Sequence, residues 1–403
     1  MKILNVIGSV NTRHGGTTDH VFSCSRAWSR LGCECHILCL DPPSSDYIKN
    51  SPVKTFALGE EPTSGFQKFA RRRLNISRYG YTPNLRRWFD ENAKNYDAII
   101  LNGLWNYTSY GSWLALRSSS TPYYVCPHGM LDPWLRRVAP WRQMIRRAFW
   151  TLFEKNVIKD TAGIFFASEE ELRIACEAYS VPREKCRVVG YGTEDIVGDP
   201  ETQKAAFLAR FPQLRDKRLI LFLGRIHQKK GIDLLIKAFG GVAERHRDFD
   251  LVIVGPDDSA LTPSLHKLAT RLGVERRIHW AGMLTGNEKW GAFRCSEFFA
   301  LPSHQENFGI AVVEAMAAAV PVLISDRVNI WTEVKAGRAG HIVSANVAGV
   351  TEGLDKMCSL SETEMRDMRE AARRCFLENF RFEDNTREAL SILVKGRAKL
   401  TST

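Results

Sequence analysis

No run of about 18 consecutive apolar residues occurs in this chain, so no transmembrane helix is expected. The opening M-K-I-L-N-V-I is too short for a signal peptide and reads instead as a first buried strand. The ten cysteines include no C-x-x-C pair, and Cys33 and Cys35 stand one residue apart, which suits neither zinc nor a disulfide. They are expected to be small buried hydrophobes in a reducing cytoplasm. No G-x-G-x-x-G follows the first strand, which disfavours a nicotinamide cofactor. No Asp-x-Asp stands in a loop after a strand, and Asp257 and Asp258 are adjacent rather than spaced, so neither metal nor cofactor is expected. Repeats shorter than a domain and low-complexity tracts are missing too.

What is present is ordinary globular sequence, 403 residues long, 44% hydrophobic and 25% charged. That length favours two domains of about 200 residues over one. Apolar runs at 3–7, 36–40, 98–101, 123–126, 164–167 and 187–189 form a first series of strands. Runs at 219–223, 251–254, 278–280, 298–301, 322–324 and 341–343 form a second. Helical patterns lie between most of them, as parallel, doubly wound α/β sheets require. The expected organisation is a first domain over 1–190, a linker over 191–203 with Gly192, Gly198 and Pro200, and a second domain over 204–380. A last helix over 381–403 carries Ala389, Leu390, Ile392 and Leu393 at helical spacing.

Four segments carry candidate chemistry. The stretch 303–321 reads S-H-Q-E-N-F-G-I-A-V-V-E-A-M-A-A-A-V-P. A buried strand precedes it, good helix formers fill 311–319, and Pro321 ends the pattern. Glu306 therefore falls in a strand-to-helix loop and Glu314 in the first turns of the helix. Both face one crevice beside free helix N–H groups that favour an anion. The second domain opens with L-I-L-F-L-G-R-I-H-Q-K-K-G, where Arg225 and Lys230 flank a turn and can converge on a diphosphate. After the first strand comes V-N-T-R-H-G-G-T-T, where Gly15 and Gly16 let backbone approach a ligand. The fourth segment is V-C-P-H-G-M-L-D-P-W: His128 follows a strand end, the position of ligand-facing residues in this architecture.

The Glu-x7-Glu of Glu306 and Glu314, with Phe308-Gly309 between, resembles the signature of retaining glycosyltransferases of the GT-B fold, the group 1 or family 4 transferases of bacterial polysaccharide biosynthesis. Gly224-Arg225, Lys230-Gly231, Gly15-Gly16 and Pro127-His128-Gly129 resemble further elements of that family in the same order. The resemblance implies two Rossmann-like domains facing across a cleft and a hexose moved from a nucleotide sugar, UDP-glucose or another UDP-hexose favoured, with retention and without a metal. It places Arg225, Lys230 and the Gly15-Gly16 loop at the leaving diphosphate, and Glu306 and His128 at the sugar. Glu314 falls at the ribose and Leu284, in W-A-G-M-L, near the base; Asn307, Phe308, Gly309 and Ile310 complete the donor-binding set. Asn307 stands where the family often has glycine, and Pro256-Asp257-Asp258 departs from its commoner small residues. In GT-B proteins a final helix crosses back to the first domain, which is the expectation for 381–403.

The net charge of +11 is uneven: residues 1–190 hold 26 Lys+Arg against 17 Asp+Glu, a net of +9, and the remaining 30 against 28 leave +2. A basic, aromatic-interleaved stretch starts at Phe66, and an amphipathic pattern runs through Trp134, Trp141, Ile145, Phe149 and Leu152, with Trp150 on the same helix. Arg137, Arg142, Arg146 and Arg147 accompany it. Either it docks on the sheet with a solvated basic face, or it meets an anionic inner membrane that holds a lipid-linked acceptor. The acceptor is otherwise a saccharide. Two alternatives stand beside transfer: a nucleotide-sugar epimerase on the same scaffold, and a non-enzymatic protein binding nucleic acid. The carboxylates beside the Arg–Lys pair oppose the last, since they would repel a phosphate backbone.

Overall fold

The structure, a computed structural model, describes residues 1–11, 16–60, 79–133, 140–257 and 260–401. It divides into two compact units, Met1–Gly190 with Glu383–Thr403, and Tyr191–Phe382. Gly15, Trp134, Arg137, Asp258 and the basic stretch over 66–78 lie outside the described residues.

In the first unit the strands are β1 (Lys2–Ile7), β2 (Glu34–Cys39), β3 (Thr55–Ala57), β4 (Ala98–Asn102), β5 (Tyr123–Cys126), β6 (Gly163–Phe166) and β7 (Cys186–Val188). They form one parallel sheet in the order β3-β2-β1-β4-β5-β6-β7. Central parallel strands are covered on both faces, which is why they read as unbroken apolar runs; Ile3, Leu4 and Val6 are wholly buried. β3 was not among the expected strands. Its T-F-A has only three residues, each half-exposed, and it pairs with β2 alone as an edge, so no apolar run announces it.

In the second unit β8 (Arg218–Leu223), β9 (Phe249–Val254), β10 (Ile278–Gly282), β11 (Ser296–Leu301), β12 (Val322–Ser325) and β13 (Gly340–Val343) form a parallel sheet in the order β10-β9-β8-β11-β12-β13. In both sheets the winding reverses once, between β1 and β4 and between β8 and β11. In open α/β sheets ligands bind beyond the carboxyl ends of the strands at such a reversal.

Residues 191–203, expected as a linker, belong to the second unit. Asp199 accepts from Thr202 N–H at 2.7 Å and caps a helix that begins at Pro200, and the Gln203 side chain is buried against Val197 O and Arg294. The last helix, Phe382–Thr401, packs on the first unit. Trp28 Nε1 donates to Thr386 O at 2.9 Å, Arg397 pairs with Asp97 at 3.0 Å, and Leu393 is wholly buried. All ten cysteines are free, seven of them buried, so they act as core. Among the described residues no helix is long and apolar enough to cross a membrane.

Trp28→Phe keeps an aromatic side chain and deletes the indole N–H that donates to the last helix. Thr386 O lies inside the helix and keeps its intrahelical partner, so the loss is that of one hydrogen bond, about 1 kcal/mol. Amide exchange over 383–401 should accelerate in the variant while exchange in β8 to β13 stays unchanged. Equal exchange in both proteins would show that the bond contributes nothing.

Candidate active site

The loops flanking the switch point of the second sheet are held together by backbone. Gly231 has φ +67°, and a Cβ there would lie 2.1 Å from Pro302 O. Gly255, φ +141°, approaches Gly224 in the same way, where a Cβ would lie 1.9 Å from its carbonyl oxygen. Both need glycine on conformation and on space. His304 N–H donates to Lys229 O at 2.7 Å, and Lys229 Nζ to Gln305 Oε1 at 3.1 Å. Glu306 is fixed from its other side: its N–H donates to Arg327 O at 2.9 Å and its carbonyl accepts from Asn329 N–H at 3.0 Å. Asn329 Nδ2 donates to Asn307 Oδ1 at 3.3 Å.

This frame brings Lys230 and Glu306 together as a directly hydrogen-bonded ion pair, with side chains 22% and 17% exposed. Gly309, φ +80°, then starts the helix Ile310–Ala317 without a side-chain cap. Val312 N–H already donates to Gly309 O at 2.8 Å, while the N–H groups of Ile310 and Ala311 precede any intrahelical acceptor and lend partial positive charge beside Glu306. Glu314, in the second turn, is buried, and its Oε1 accepts from Lys289 Nζ at 2.6 Å. Arg225 is exposed and makes no hydrogen bond or ion pair with the described residues. Ile310 is 38% exposed at the helix start. Phe308 and Leu284 turn inward instead: the Phe308 ring packs against Tyr191 and Phe380, and Leu284 is 5% exposed. Phe308 therefore offers a ligand its backbone and not its ring.

In the first unit, His128 follows β5 with φ +51°, and its Nε2 lies 2.9 Å from Asn102 Oδ1 at the end of β4. The His20 ring stands edge-on at 5.7 Å. Burial, and then the charge His20 would carry, holds His128 well below the usual imidazole range, and burial lowers His20 to about 4, so both rings are neutral near pH 7. Gly129 N–H donates to Glu171 Oε1 at 2.5 Å, and the other oxygen of that buried carboxylate accepts from Ala167 N–H at 2.8 Å. Gly16 begins the helix Gly16–Arg30 with open space where a side chain would be.

Both halves match models of known families. One for group 1 glycosyl transferases covers residues 206–375, and one for a glycosyl transferase 4-like domain covers 15–192. The chain belongs to the group 1 glycosyltransferases. An uncharacterised glycosyltransferase of Methanocaldococcus jannaschii is 29% identical over 188 residues, 46% of this chain and 47% of that protein, so the match spans about half the relative's length. Among solved structures, a sucrose-phosphate synthase from Thermosynechococcus elongatus aligns with a TM-score of 0.77 at 18% identity over 99% of each chain. Anabaena HepE in complex with UDP and glucose aligns with 0.72 at 15% over 100% of each. At such identities the likeness concerns the fold, GT-B, with its two Rossmann-like domains.

Several residues of this glycosyltransferase were not legible beforehand. Lys289 reaches Glu314 from a helix 25 positions earlier, with no motif to link them. Asn102 and Glu171 support the His128 loop from other strands and helices. Glu154 is wholly buried; its Oε1 accepts from Trp105 N–H at 2.7 Å and Ser109 Oγ at 2.8 Å, and burial pushes its carboxyl up to about 7. It sits in a π-helical turn, Trp150–Glu154, a local irregularity that apolar periodicity cannot reveal. On the membrane reading of the basic helix, Trp150 would lie at the bilayer interface and Arg146 over the head groups. Trp150 is core, 7% exposed against Trp105 and Tyr179, and Arg146 stacks 4.5 Å over the Trp105 ring while donating to Met130 O.

Gly231→Ala adds steric overlap to a left-handed backbone strain of about 1–2 kcal/mol. Gly282, φ +64°, has open space and takes only the strain. Thermal unfolding of the two alanine variants should therefore rank Gly231→Ala as clearly the less stable. The reverse ranking would sink the argument that the Pro302 contact sets the loop.

Proposed function

We propose that this glycosyltransferase moves a hexose from a UDP-sugar, UDP-glucose favoured, to a saccharide or lipid-linked acceptor in polysaccharide biosynthesis, with retention. One observation carries the reading: Lys230 and Glu306 meet at the switch point of the second sheet, beside an uncapped helix N-terminus. Breaking a sugar–diphosphate bond leaves negative charge on the diphosphate and positive character on the ring. Arg225, Lys230 and the first N–H groups of the helix suit the former, and Glu306 suits the latter. Glu314 is assigned to the ribose hydroxyls and His128 to the sugar. Gly15, Gly16, Asn307, Gly309 and Ile310 complete the donor site with backbone and small contacts. The HepE structure containing UDP and glucose supports this choice of donor.

Fixed cations can neutralise a diphosphate as a divalent ion does elsewhere. Turnover should accordingly persist in EDTA, and loss of activity that Mg²⁺ restores would remove the metal-free mechanism. Arg225→Ala or Lys230→Ala should each raise the barrier by roughly 2–4 kcal/mol. Glu306→Gln should lower kcat by orders of magnitude with UDP affinity retained, and Glu314→Gln should weaken UDP binding instead. The opposite pattern reverses the two roles.

The helix Pro140–Phe149 and the turn after it expose Met144, Ile145 and Leu152 at 75%, 60% and 62%, with Arg147 and Lys155 also exposed. Apolar side chains ringed by cations suit an anionic bilayer, each cation contributing about 1 kcal/mol. We assign this face to peripheral attachment at the cytoplasmic side of an inner membrane. In vesicle co-sedimentation, binding should need anionic lipid, weaken in salt and drop when Arg147 and Lys155 become Gln together. Equal binding to neutral vesicles would leave a soluble saccharide as the acceptor.

A further inference from the structure

Behind His128 runs a one-way chain of buried hydrogen bonds. Ser25 Oγ donates to Val21 O at 2.8 Å, which uses its single hydrogen. Its oxygen accepts from Asn5 Nδ2 at 3.1 Å. Asn5 Oδ1 accepts from Asn102 Nδ2 at 3.1 Å, and the same amide donates to Ile100 O at 3.3 Å. Ser25, Asn5 and Asn102 are 0%, 2% and 5% exposed, so no water competes for these groups. With its amide committed, Asn102 presents its carbonyl oxygen to His128 Nε2, 2.9 Å away. A carbonyl oxygen only accepts, so the hydrogen must be on Nε2.

We propose that Asn102, oriented by Asn5 and Ser25, is a positioning residue that holds His128 as the Nε2–H tautomer, so that Nδ1 is a lone-pair nitrogen that accepts a hydroxyl hydrogen from the sugar. The ligand role rests on the glycosyltransferase reading; the tautomer does not. His128 then serves as a neutral acceptor and cannot donate a proton to the leaving group. Its surroundings agree. The His20 ring faces it from the helix Gly16–Arg30 and is itself contacted by Cys24, Cys126 ends β5 two residues before it, and Glu171 holds the adjacent Gly129 from the helix Glu169–Ala178, where its carboxylate is engaged by two backbone N–H groups. The two thiols are pushed up by burial and stay neutral, so the imidazolium form gains no counter-charge from them.

The experiment has two arms on the full chain. In ¹⁵N-histidine-labelled protein at neutral pH, the signal lost in His128→Ala should report a protonated Nε2 and an unprotonated Nδ1. The second arm is Asn102→Asp. A carboxylate at Nε2 stabilises the imidazolium and raises the His128 pKa, so below that pKa Nδ1 carries a hydrogen and cannot accept. Turnover of the UDP-sugar should then acquire an acid limb, down on the order of 10-fold or more at its low end and recovering as pH rises, where the wild type is flat. An Nδ1–H or doubly protonated ring in the wild type overturns the proposal, as does an Asn102→Asp profile that superimposes on the wild type. If Asn102→Asp fails to fold, the first arm alone decides the tautomer. An Nε2–H ring in a chain that turns over no nucleotide sugar upholds the tautomer and overturns the transfer reading instead.

Discussion

A Cβ on Gly231 would lie 2.1 Å from the carbonyl oxygen of Pro302, so the loops after β8 and β11 can meet only through glycine. The Lys230–Glu306 pair depends on that approach. The approach puts Lys229 O against His304 N–H, aligns Lys230 with Glu306, and leaves the helix at Gly309 starting beside them. The pair itself is a weak source of stability, because desolvating two charges offsets most of their attraction. Its geometry is therefore imposed by backbone packing and not chosen by the ions. A site built that way keeps its cation in place when the carboxylate's partner changes.

The two units solve one problem by different means. Each sheet reverses its winding once and opens a ligand crevice there. In the second unit the crevice is filled by charge, Lys230 with Glu306 and Lys289 with Glu314. In the first, His128 stands there and is backed by buried neutral polar groups whose direction is fixed, from Ser25 through Asn5 to Asn102.

Much of this was readable from the chain because the signals are local. Parallel strands buried on both faces write themselves as apolar runs, and Gly-Arg with Lys-Gly five residues on can bracket only a short turn. Glu306 and Glu314 are separated by a loop and one turn of helix, so spacing alone put the first in the loop and the second on the helix. What stayed hidden is non-local. Lys289 meets Glu314, and Asn102 meets His128, through sheet order and not through sequence distance. β3 was hidden for the opposite reason, since a three-residue half-exposed edge has no pattern to read. The basic helix stayed open between two readings because periodicity gives a face but not which face is inward. Trp150 went into the core, and Met144, Ile145 and Leu152 stayed outside.

The lysine pairs also constrain what can bind. Without ligand, Glu306 and Glu314 each hold a lysine in a mostly dehydrated place. Removing the partner of such a group leaves an unpaired charge, which is strongly unfavourable. On the proposed reading, a neutral sugar alone cannot open the Lys230–Glu306 pair, because it offers the ammonium nothing in exchange. A diphosphate can, since it replaces one carboxylate with several anionic oxygens and adds contacts to Arg225 and the helix N–H groups. Glu306 is then released at the moment the sugar arrives beside it. The carboxylate gains positive character on the ring as its new counter-charge only as the glycosidic bond breaks. Binding of the anionic half thereby prepares the group that the reacting half needs, so a neutral sugar alone leaves the Lys230–Glu306 pair intact while a diphosphate opens it even without a sugar.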